Sequence, residues 1–498
     1  MAETHSEIAI LGAGFSGLAM AIALRRSTVS LGLPADGSGV VVFEREPRIG
    51  GTWAVNRYPG CACDVPSHLY SLSYAPKPDW SRAYAPQPEI LRYIDDVARQ
   101  HGVGPELRLG SGVASARYDE ASGRWRLCTD QGDEHTARVI ISAVGGLSRP
   151  KLPEIPGLER FQGPVLHTAR WDNAVVLSGQ RVAVIGTGAS AIQLVPQLAR
   201  VAGHLDVFQR TPPWIVPRPD GPIAPWSQRT MARWPLLRRL RREALRWSMD
   251  IRSLAFVHLP WLMGVAEWEA LRHLRRQVPD PALRRALTPS YRIGCKRILV
   301  ADDYYPALCQ PNVALRAGGA SAIEADGVRD RDGVLHKADV LVLATGFEAT
   351  RPLPEGVVFG PGGRDLARHF GDCPSAYLGT AVAGFPNLFF LVGPNTGLGH
   401  SSMLLMIEAQ VGYVTQLLRW MHDDGLRTLA VRADAEARYN ADLQERLRRT
   451  VWGSGCQSWY LSADGRNPTL WPGSTFGFER LLATLRRPDF VVETGRDG

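Results

Sequence analysis

The stretch IAILGAGFSG, residues 8–17, decides the fold. Its apolar start predicts a short strand, and the residues that follow have helical content, so the order is strand, tight turn, helix. Glycines in the turn let the backbone approach a pyrophosphate, and the N-terminus of the helix offers free N–H groups to it. The stretch therefore predicts a dinucleotide site at Gly12, Gly14 and Gly17.

The next apolar run, residues 40–43, ends in Glu44. An acid at this strand end is suited to accept hydrogen bonds from ribose hydroxyls. Glu44 follows Gly12 by more than the usual ~20 residues, and a turn-rich insert at residues 27–39 accounts for the excess. A Gly-rich loop that binds nothing is the alternative, because one such motif alone is weak evidence.

The same pattern recurs at VAVIGTGASA, residues 182–191. Two such turns imply two dinucleotides. The apolar run that follows ends in Arg210 and Thr211 and not in an acid. Arginine prefers a 2′-phosphate, so NADPH is favoured over NADH, the alternative being an exposed arginine at a strand end. The residues of this second turn are Gly186, Gly188 and Ala191.

Length and charge narrow the class of protein. The chain has 498 residues, which predicts two or three domains, and its 45% hydrophobic and 21% charged residues are ordinary for a globular protein. The formal charge is +8, but residues 229–276 hold eleven arginines against four acids, a net charge of +7. The remainder is near neutral, which argues against a nucleic-acid-binding protein and for one locally basic face.

The seven cysteines are an odd number, and Glu3 and Glu7 interrupt any apolar start of a signal peptide. We therefore expect a reducing, cytoplasmic location. Cys61 and Cys63 lack the spacing of familiar redox dithiols, and no cysteine pattern predicts a metal site. The longest nearly apolar run, residues 253–266, is shorter than the roughly 18 residues that span a bilayer.

Residues 215–290 change character, because prolines give way to an Arg-rich and Trp-rich helical segment. One helix face carries Leu237, Leu240, Ala244 and Trp247, and arginines lie on another. This pattern is typical of a helix that packs on one side and is solvated on the other. Contact with anionic membrane lipids is the less favoured alternative.

Two further stretches carry a family resemblance. GGTWAVNRYPGCACD, residues 50–64, fits the pattern [AG]-G-x-W-x(4)-[FY]-P-[GM]-x(3)-D at every specified position. FQGPVLHTARWD, residues 161–172, fits F-x-G-x-x-x-H-x-x-x-W-[PD]. Either could be an ordinary loop or linker, but both lie in order between the glycine turns, and together they resemble the Baeyer-Villiger monooxygenases. The positions that carry the second fingerprint are Phe161, Gly163, His167, Trp171 and Asp172.

The resemblance implies an α/β fold with two doubly wound, Rossmann-like domains. An FAD domain would be built from residues 1–147 and 351–498, and an NADPH domain from residues 148–350. A helical insert at residues 215–290 would cover the substrate cleft. The stretch 161–172 would lie between the two nucleotide units as a hinge-side connector, and nothing in its sequence marks His167 as a general base.

The resemblance also implies roles for single residues. Arg297 would lie over the flavin as the catalytic residue, with Asp64 to orient it, and Lys296 would help to hold the 2′-phosphate. Gly51 and Trp53 would lie beside the cofactor, and Trp53 stands where flavin disulfide reductases usually have a redox cysteine.

Two later stretches extend the resemblance. GPNTGLGHSSM, which contains Asn395, precedes a predicted helix whose start would face the flavin, the alternative being an ordinary helix capped by Ser401 or Ser402. Trp459 matches the tryptophan of a mobile loop that folds over the nicotinamide cofactor. Residues 461–473 depart from the family pattern, which leaves the substrate class open.

The activity implied is oxygen insertion from O2 beside a ketone carbonyl, through a flavin peroxide, to give an ester or lactone. The many Trp and Leu residues suggest an apolar ketone. The alternatives are a sister flavin monooxygenase that oxidises sulfur or nitrogen, an NADPH:acceptor reductase, and a non-catalytic flavin-binding protein of the membrane surface.

Overall fold

The computed structural model describes residues 4–34, 36–455 and 458–495. Within them the chain forms twenty β-strands and thirteen α-helices. The strands are β1 (Thr4–Leu11), β2 (Val40–Phe43), β3 (Leu107–Arg108), β4 (Val113–Asp119), β5 (Arg124–Thr129), β6 (Glu134–Ser142), β7 (Val165–His167), β8 (Arg181–Ile185), β9 (His204–Gln209), β10 (Ile215–Val216), β11 (Leu299–Val300), β12 (Val313–Ala317), β13 (Ala320–Glu324), β14 (Gly327–Asp330), β15 (Leu335–Lys337), β16 (Val340–Leu343), β17 (Val358–Phe359), β18 (Leu388–Phe390), β19 (Leu426–Val431) and β20 (Phe490–Thr494).

The α-helices alternate with these strands over much of the chain. They are α1 (Phe15–Arg26), α2 (Thr52–Val55), α3 (Gln87–Gln100), α4 (Ala189–Ala199), α5 (Pro225–Arg233), α6 (Pro235–Asp250), α7 (Met263–Gln277), α8 (Pro281–Ala286), α9 (Tyr304–Leu308), α10 (Leu366–Phe370), α11 (Met403–Asp423), α12 (Ala433–Arg448) and α13 (Thr475–Leu482). No helix in the described ranges is long and apolar enough to cross a bilayer.

The first sheet is built from both ends of the chain. Its strand order is β17-β4-β5-β6-β1-β2-β3, and β18 also pairs with β6. At its centre β1 runs parallel to both neighbours, so that Ile10 lies opposite Val42 on one side and Ile141 on the other. Such strands are apolar throughout because both faces of the sheet are covered, and α1 packs against α11 from the distant half of the chain.

The second sheet is entirely parallel, in the order β12-β9-β8-β16-β7. A continuous buried core joins the two sheets and includes Met20 in α1, Leu194 in α4 and Met406 in α11. Each sheet therefore carries one glycine turn between its strand and helix, at β1–α1 and at β8–α4. The predicted fold class, α/β with two Rossmann-like units, is confirmed.

Helices α5–α8 lie between β10 and β11. The orientation of α6 differs from the one expected for an amphipathic helix. Its apolar residues Leu240 and Trp247 are 57% and 62% exposed, whereas Arg242 is 6% exposed. The guanidinium of Arg242 donates to the carbonyl oxygens of Leu69 (2.9 Å) and Ser71 (2.8 Å). The arginine face of α6 is thus the packed one. Its guanidinium group donates hydrogen bonds to carbonyl oxygens of a loop that are shielded from water and need a donor from the protein.

His135, near the start of β6, links this strand to the start of its neighbour β1. Thr4 Oγ1 lies 2.7 Å from its Nδ1, and Ser6 Oγ lies 2.9 Å from its Nε2. Burial, with a smaller effect of nearby cationic side chains, lowers the pKa of His135 to about 4. The folded protein therefore holds this imidazole neutral at pH values where the unfolded chain already binds a proton.

We expect the free energy of unfolding to fall as the pH decreases from about 6.5 towards about 4, with His135 contributing about 2 kcal/mol of the loss between pH 7 and pH 5. In His135→Gln, which keeps a polar group but does not titrate there, this part of the pH dependence should vanish. Urea unfolding at several pH values measures it, with exposed His258→Gln as control. An unchanged pH dependence in His135→Gln would show that the ring is already protonated when folded.

Candidate active site

The first glycine turn leaves no room for side chains. Gly12 follows β1 with φ +103°, and a Cβ on Gly17 would lie 1.8 Å from the carbonyl oxygen of Gly12. Helix α1 begins at Phe15, and Gly14 at its N-cap offers no side chain to satisfy the first N–H groups. Those donors are therefore available to an anion such as a pyrophosphate.

Glu44 lies where the sequence places it, at the end of β2 beside the glycine turn. Its carboxylate is buried and accepts from the backbone N–H of Ala13 (2.7 Å) and of Glu46 (2.9 Å). Each carboxylate oxygen can accept a further hydrogen bond. The proposed ribose contact stays a prediction, and the observed bonds show that Glu44 also fixes the turn itself.

The loop of residues 50–64 packs onto this turn at its beginning. A Cβ on Gly51 would lie 2.9 Å from Cα of Gly14, and Gly51 has φ +52°. The indole of Trp53 is buried and donates to the hydroxyl of Tyr70 at 3.0 Å. The first half of the pattern thus seats the loop directly against the predicted pyrophosphate site.

The second half of the loop reaches the other dinucleotide unit through Gln193 on α4. The hydroxyl of Tyr58 donates to Gln193 Oε1 at 2.9 Å, and Gln193 Nε2 donates to the carbonyl oxygen of Ala62 at 3.0 Å. A Cβ on Gly60 would lie 2.5 Å from the carbonyl oxygen of Gln193. Sequence reasoning missed Gln193, because α4 also contains Ser190 and Gln197 and nothing in the pattern sets Gln193 apart.

The loop ends at Asp64, which pairs with Arg297 from the segment before β11. Arg297 Nε donates to Asp64 Oδ2 at 3.0 Å, and Arg297 Nη2 donates to the same oxygen. Although burial opposes it, the guanidinium holds the pKa of Asp64 below its usual range, and the carboxylate in turn raises the pKa of Arg297. Both side chains stay partly exposed, at 30% and 39%, so the paired cation borders open space.

Two residues beside this ion pair were not predicted. Arg218 Nη2 donates to the carbonyl oxygen of Cys63 at 3.1 Å, which adds a second cation near Asp64. Tyr460 is 1% exposed and lies within electrostatic range of Arg297, and burial raises the pKa of its hydroxyl to about 12. No local pattern marks either residue, since each comes from a distant part of the chain.

The cysteines near the site are not a redox dithiol. Cys61 and Cys63 are free and buried, and burial raises the pKa of Cys61 to about 12, which disfavours a reactive thiolate. Cys295 is disulfide-bonded. No cluster of metal-binding side chains occurs among the described residues.

The second glycine turn repeats the geometry of the first. Gly186 has φ +112°, and a Cβ on it would lie 2.5 Å from the carbonyl oxygen of Ala344. Gly188 is the N-cap of α4, again without a side-chain cap, and Ala191 is fully buried against the sheet. The turn therefore offers a second set of free backbone donors at a helix N-terminus.

Two cationic side chains, Arg210 and Lys296, lie near this second turn. Burial, together with the positive charge of Arg210, lowers the pKa of Lys296. Neither cation forms an ion pair with an acid in the described part of the chain. The hydroxyl of Thr187 in the turn donates to the carbonyl oxygen of Thr211 at 3.3 Å, which holds the Arg210 segment in place. Like charges held close together without an acid are suited to bind a phosphate.

The stretch 161–172 is part of the second sheet, and its predicted role as a hinge-side connector stays a prediction. Its centre is β7, the edge strand of the second sheet, with His167 opposite Leu343 of β16. A Cβ on Gly163 would lie 2.2 Å from the carbonyl oxygen of Asp339. Of the remaining positions, Phe161 and Trp171 are buried. Asp172 is exposed, and its carboxylate accepts a hydrogen bond from the backbone N–H of Ala174.

His167 faces the place where the chain passes between the two units. Its Nδ1 accepts from the backbone N–H of Ala169 at 3.0 Å, so its proton is on Nε2, which lies 3.4 Å from Thr345 Oγ1. Burial lowers the pKa of His167, which keeps the ring neutral. The chain passes between the two units twice, at residues 149–151 and at residues 346–348. These two segments run antiparallel and are hydrogen-bonded to each other, with a β-bridge between Pro150 and Phe347.

Comparison with known proteins decides the family. A family model described as flavin-binding monooxygenase-like matches residues 5–359. A Baeyer-Villiger monooxygenase of Pseudomonas aeruginosa is 46% identical over 482 residues, which cover 96% of this chain and 90% of the relative. A Baeyer-Villiger monooxygenase of Streptomyces coelicolor is 46% identical over 491 residues, with 98% and 93% covered. The chain belongs to the Baeyer-Villiger monooxygenases, within the flavin-binding monooxygenase-like family.

Solved structures agree with this assignment. A closed crystal structure of cyclohexanone monooxygenase superposes with a TM-score of 0.88 at 28% identity and covers 99% of this chain and 100% of that one. An oxidised steroid monooxygenase bound to NADP gives a TM-score of 0.85 at 31% identity, with the same coverage. The family predicted from residues 50–64 and 161–172 is confirmed.

Two predicted cofactor residues of this monooxygenase have contacts of their own. The Asn395 side chain donates to the carbonyl oxygens of Asn467 (2.6 Å) and Leu470 (3.1 Å), and its buried Oδ1 has no partner among the described residues. Trp459 is 51% exposed beside buried Tyr460, with ring centroids 4.4 Å apart. Their cofactor roles stay predictions.

The start of α11 is capped by a serine, and its predicted position facing the flavin stays a prediction. Ser402 is the N-cap, and its Oγ accepts from the backbone N–H of Leu404 at 3.3 Å. The hydroxyl therefore satisfies one of the donors that were expected to face the flavin.

We expect His167→Ala to keep its flavin but to lower turnover on the order of fivefold, the equivalent of one lost hydrogen bond of about 1 kcal/mol. Without the imidazole, the two segments that connect the units would be held less firmly. A larger fraction of the NADPH consumed should then give no oxygenated product. Flavin absorbance and the ratio of product to NADPH measure this, with Val165→Ala on the same strand as control. Loss of the flavin itself would contradict this role.

Proposed function

We propose that this enzyme uses FAD and NADPH to insert one oxygen atom from O2 beside the carbonyl of an apolar ketone, which gives an ester or lactone. The observation that carries the proposal is the Arg297–Asp64 pair, which lies beside the loop that connects both dinucleotide turns. The names of the relatives, Baeyer-Villiger and cyclohexanone monooxygenase, support the same reaction class.

The first unit fits FAD. The turn at Gly12–Gly17 excludes side chains, and the N-terminus of α1 has free donors for a pyrophosphate. Glu44 supplies acceptors for ribose hydroxyls at the adjacent strand end. The unpartnered Oδ1 of buried Asn395 is an acceptor that a bound group would satisfy.

The second unit fits NADPH, with Arg210 and Lys296 as the two cations for its 2′-phosphate. Arg210 is exposed just after β9, and its positive charge is one of the causes that lower the pKa of Lys296, so the two cations lie within electrostatic range of each other. NADH carries hydroxyls where NADPH carries this phosphate, so it would leave both cations without a partner.

When bound in the first unit, FAD would supply the capacity to accept a hydride from NADPH and to activate O2. The contribution of Arg297 is a permanent cation, which would stabilise negative charge developing on the carbonyl oxygen of the ketone. Asp64 orients the guanidinium through the bonds from Nε and Nη2, and its lowered pKa keeps it ionised. Tyr460, protonated at neutral pH, closes one side of the cation and limits its access to water.

The side chains beside the arginine segment support the proposal of an apolar substrate. A Cβ on Gly294 would lie 2.8 Å from Met263 Cε and 3.2 Å from Phe256 Cε1, both on the helical insert. The ring of Phe256 stacks on Trp452 with centroids 5.8 Å apart. Apolar side chains from the insert and from the segment near residue 450 thus surround Gly294, three residues before Arg297. Such surroundings favour an apolar ketone over a charged one.

We expect Arg297→Ala to keep measurable oxidation of NADPH but to lower ester formation at least about 100-fold, the usual cost of losing a group that stabilises an oxyanion. Arg297→Lys should recover part of the rate, since it keeps the charge and loses the bidentate geometry. Product analysis by mass, with NADPH oxidation followed in parallel, measures both steps.

Exposed Arg292→Ala is the control from the same segment, and flavin absorbance shows that each variant is folded. A normal ester yield from Arg297→Ala would contradict the proposal. Products oxidised only at sulfur or nitrogen would instead assign the enzyme to the sister class.

We expect Arg210→Ala and Lys296→Ala each to lower kcat/KM for NADPH about tenfold, in line with one charge-assisted contact of roughly 1.5–3 kcal/mol. Activity with NADH should hardly change, so the preference for NADPH should nearly disappear in the double variant. Steady-state kinetics with both cofactors measures this, with exposed Lys337→Ala as control. Equal losses with NADH and NADPH would show that the two cations have a structural role only.

A further inference from the structure

The outer face of α6 is a largely exposed apolar stripe, in which the ring of Trp247 contacts Phe476 with centroids 4.5 Å apart. Leu236, Leu240, Trp247 and Ile251 are each between 57% and 69% exposed. Their spacing places them on one side of the helix, over a length of roughly 22 Å, with small Ala244 exposed between them. A surface helix normally turns this face towards the core.

The opposite face of α6 fixes this orientation. Besides the bonds of Arg242 to the loop at residues 68–71, Arg246 contacts Glu479 and lies 3.3 Å from the hydroxyl of Thr475. Asp250 at the end of the helix accepts from the backbone N–H of Thr475 at 2.9 Å. Rotation of α6 would break all of these buried polar contacts, so the apolar stripe is held outward.

The rest of the insert adds tryptophans to this surface. Trp226, Trp234, Trp261 and Trp268 are each more than half exposed. Together with the α6 stripe, eight large apolar side chains of the insert are thus more than half exposed, and exposed apolar groups rimmed by polar residues mark interaction sites. This amount of exposed apolar surface calls for a partner.

Arginines surround the stripe. Arg229, Arg233, Arg239 and Arg252 are exposed, and none of them forms an ion pair with an acid in the described part of the chain. These four side chains make the border of the apolar face positive. Exposed Trp and Leu residues framed by Arg are the composition of helices that lie in the interface of a membrane with anionic lipids.

A second copy of the chain fits this surface less well. In a twofold dimer the same patch faces itself, so the positive borders would meet each other and repel. Anionic headgroups complement those borders, and the acyl region accepts the indole and leucine side chains. We propose that the outer face of α6 docks the enzyme onto an anionic lipid surface. This inference is independent of the proposed reaction.

The flavin-loaded full-length enzyme should be mixed with vesicles of phosphatidylcholine and with vesicles of phosphatidylcholine and phosphatidylglycerol in equal parts, and then sedimented. We expect binding to the anionic vesicles and weakening by salt. Leu240→Gln combined with Trp247→Gln should weaken binding at least about tenfold, because the burial of two large apolar side chains is lost. Arg239→Gln combined with Arg252→Gln should weaken it by a similar factor and reduce the salt dependence.

The matched control is Val176→Gln combined with Val491→Gln, which removes exposed apolar side chains elsewhere and should leave vesicle binding unchanged. Flavin absorbance shows that every variant is folded. The proposal is overturned if the wild type does not bind anionic vesicles, or if the α6 variant binds them as well as the wild type does. A dimer that the α6 variant dissociates, without lipid binding, would assign the surface to a second copy.

Discussion

The ion pair between Asp64 and Arg297 is the interaction on which the arrangement of the two dinucleotide units depends. Asp64 ends a loop that begins on the first glycine turn, and Arg297 precedes β11 on the far side of the helical insert. Separating two partly buried charges leaves each without compensation, a change that costs several kcal/mol in comparable sites. The pair therefore fixes the distance between two parts of the chain that are 233 residues apart.

A second restraint acts on the same loop through neutral groups. Gln193 of α4 holds the loop through the hydroxyl of Tyr58 and the carbonyl group of Ala62, and Gly60 allows the backbones to approach. The residues of the family pattern at positions 50–64 thus connect the first glycine turn to α4, the helix that follows the second glycine turn. Such a link can keep a cation in place beside two cofactors, because it ties the position of Asp64 to both turns.

The orientation of α6 shows how a polar requirement can override an apolar one. A guanidinium has five N–H donors, and the loop at residues 68–71 has carbonyl groups that are shielded from water. Leaving these carbonyl groups unpaired costs more than exposing leucines that water or another surface can cover. The arginine face of α6 is therefore buried, and the enzyme presents an apolar stripe with a positive border.

The sequence by itself determined the two turns, the fold class and the family, because glycines with positive φ and short apolar runs act through local geometry. Gly12, Gly186 and the strand ends at Glu44 and Arg210 are where that reasoning placed them. Only the tertiary structure decided the contacts of Gln193, Tyr460 and Arg218, the disulfide at Cys295 and the outward face of α6. These depend on which distant groups remain unsatisfied when the chain closes on itself, and a linear pattern does not contain that information.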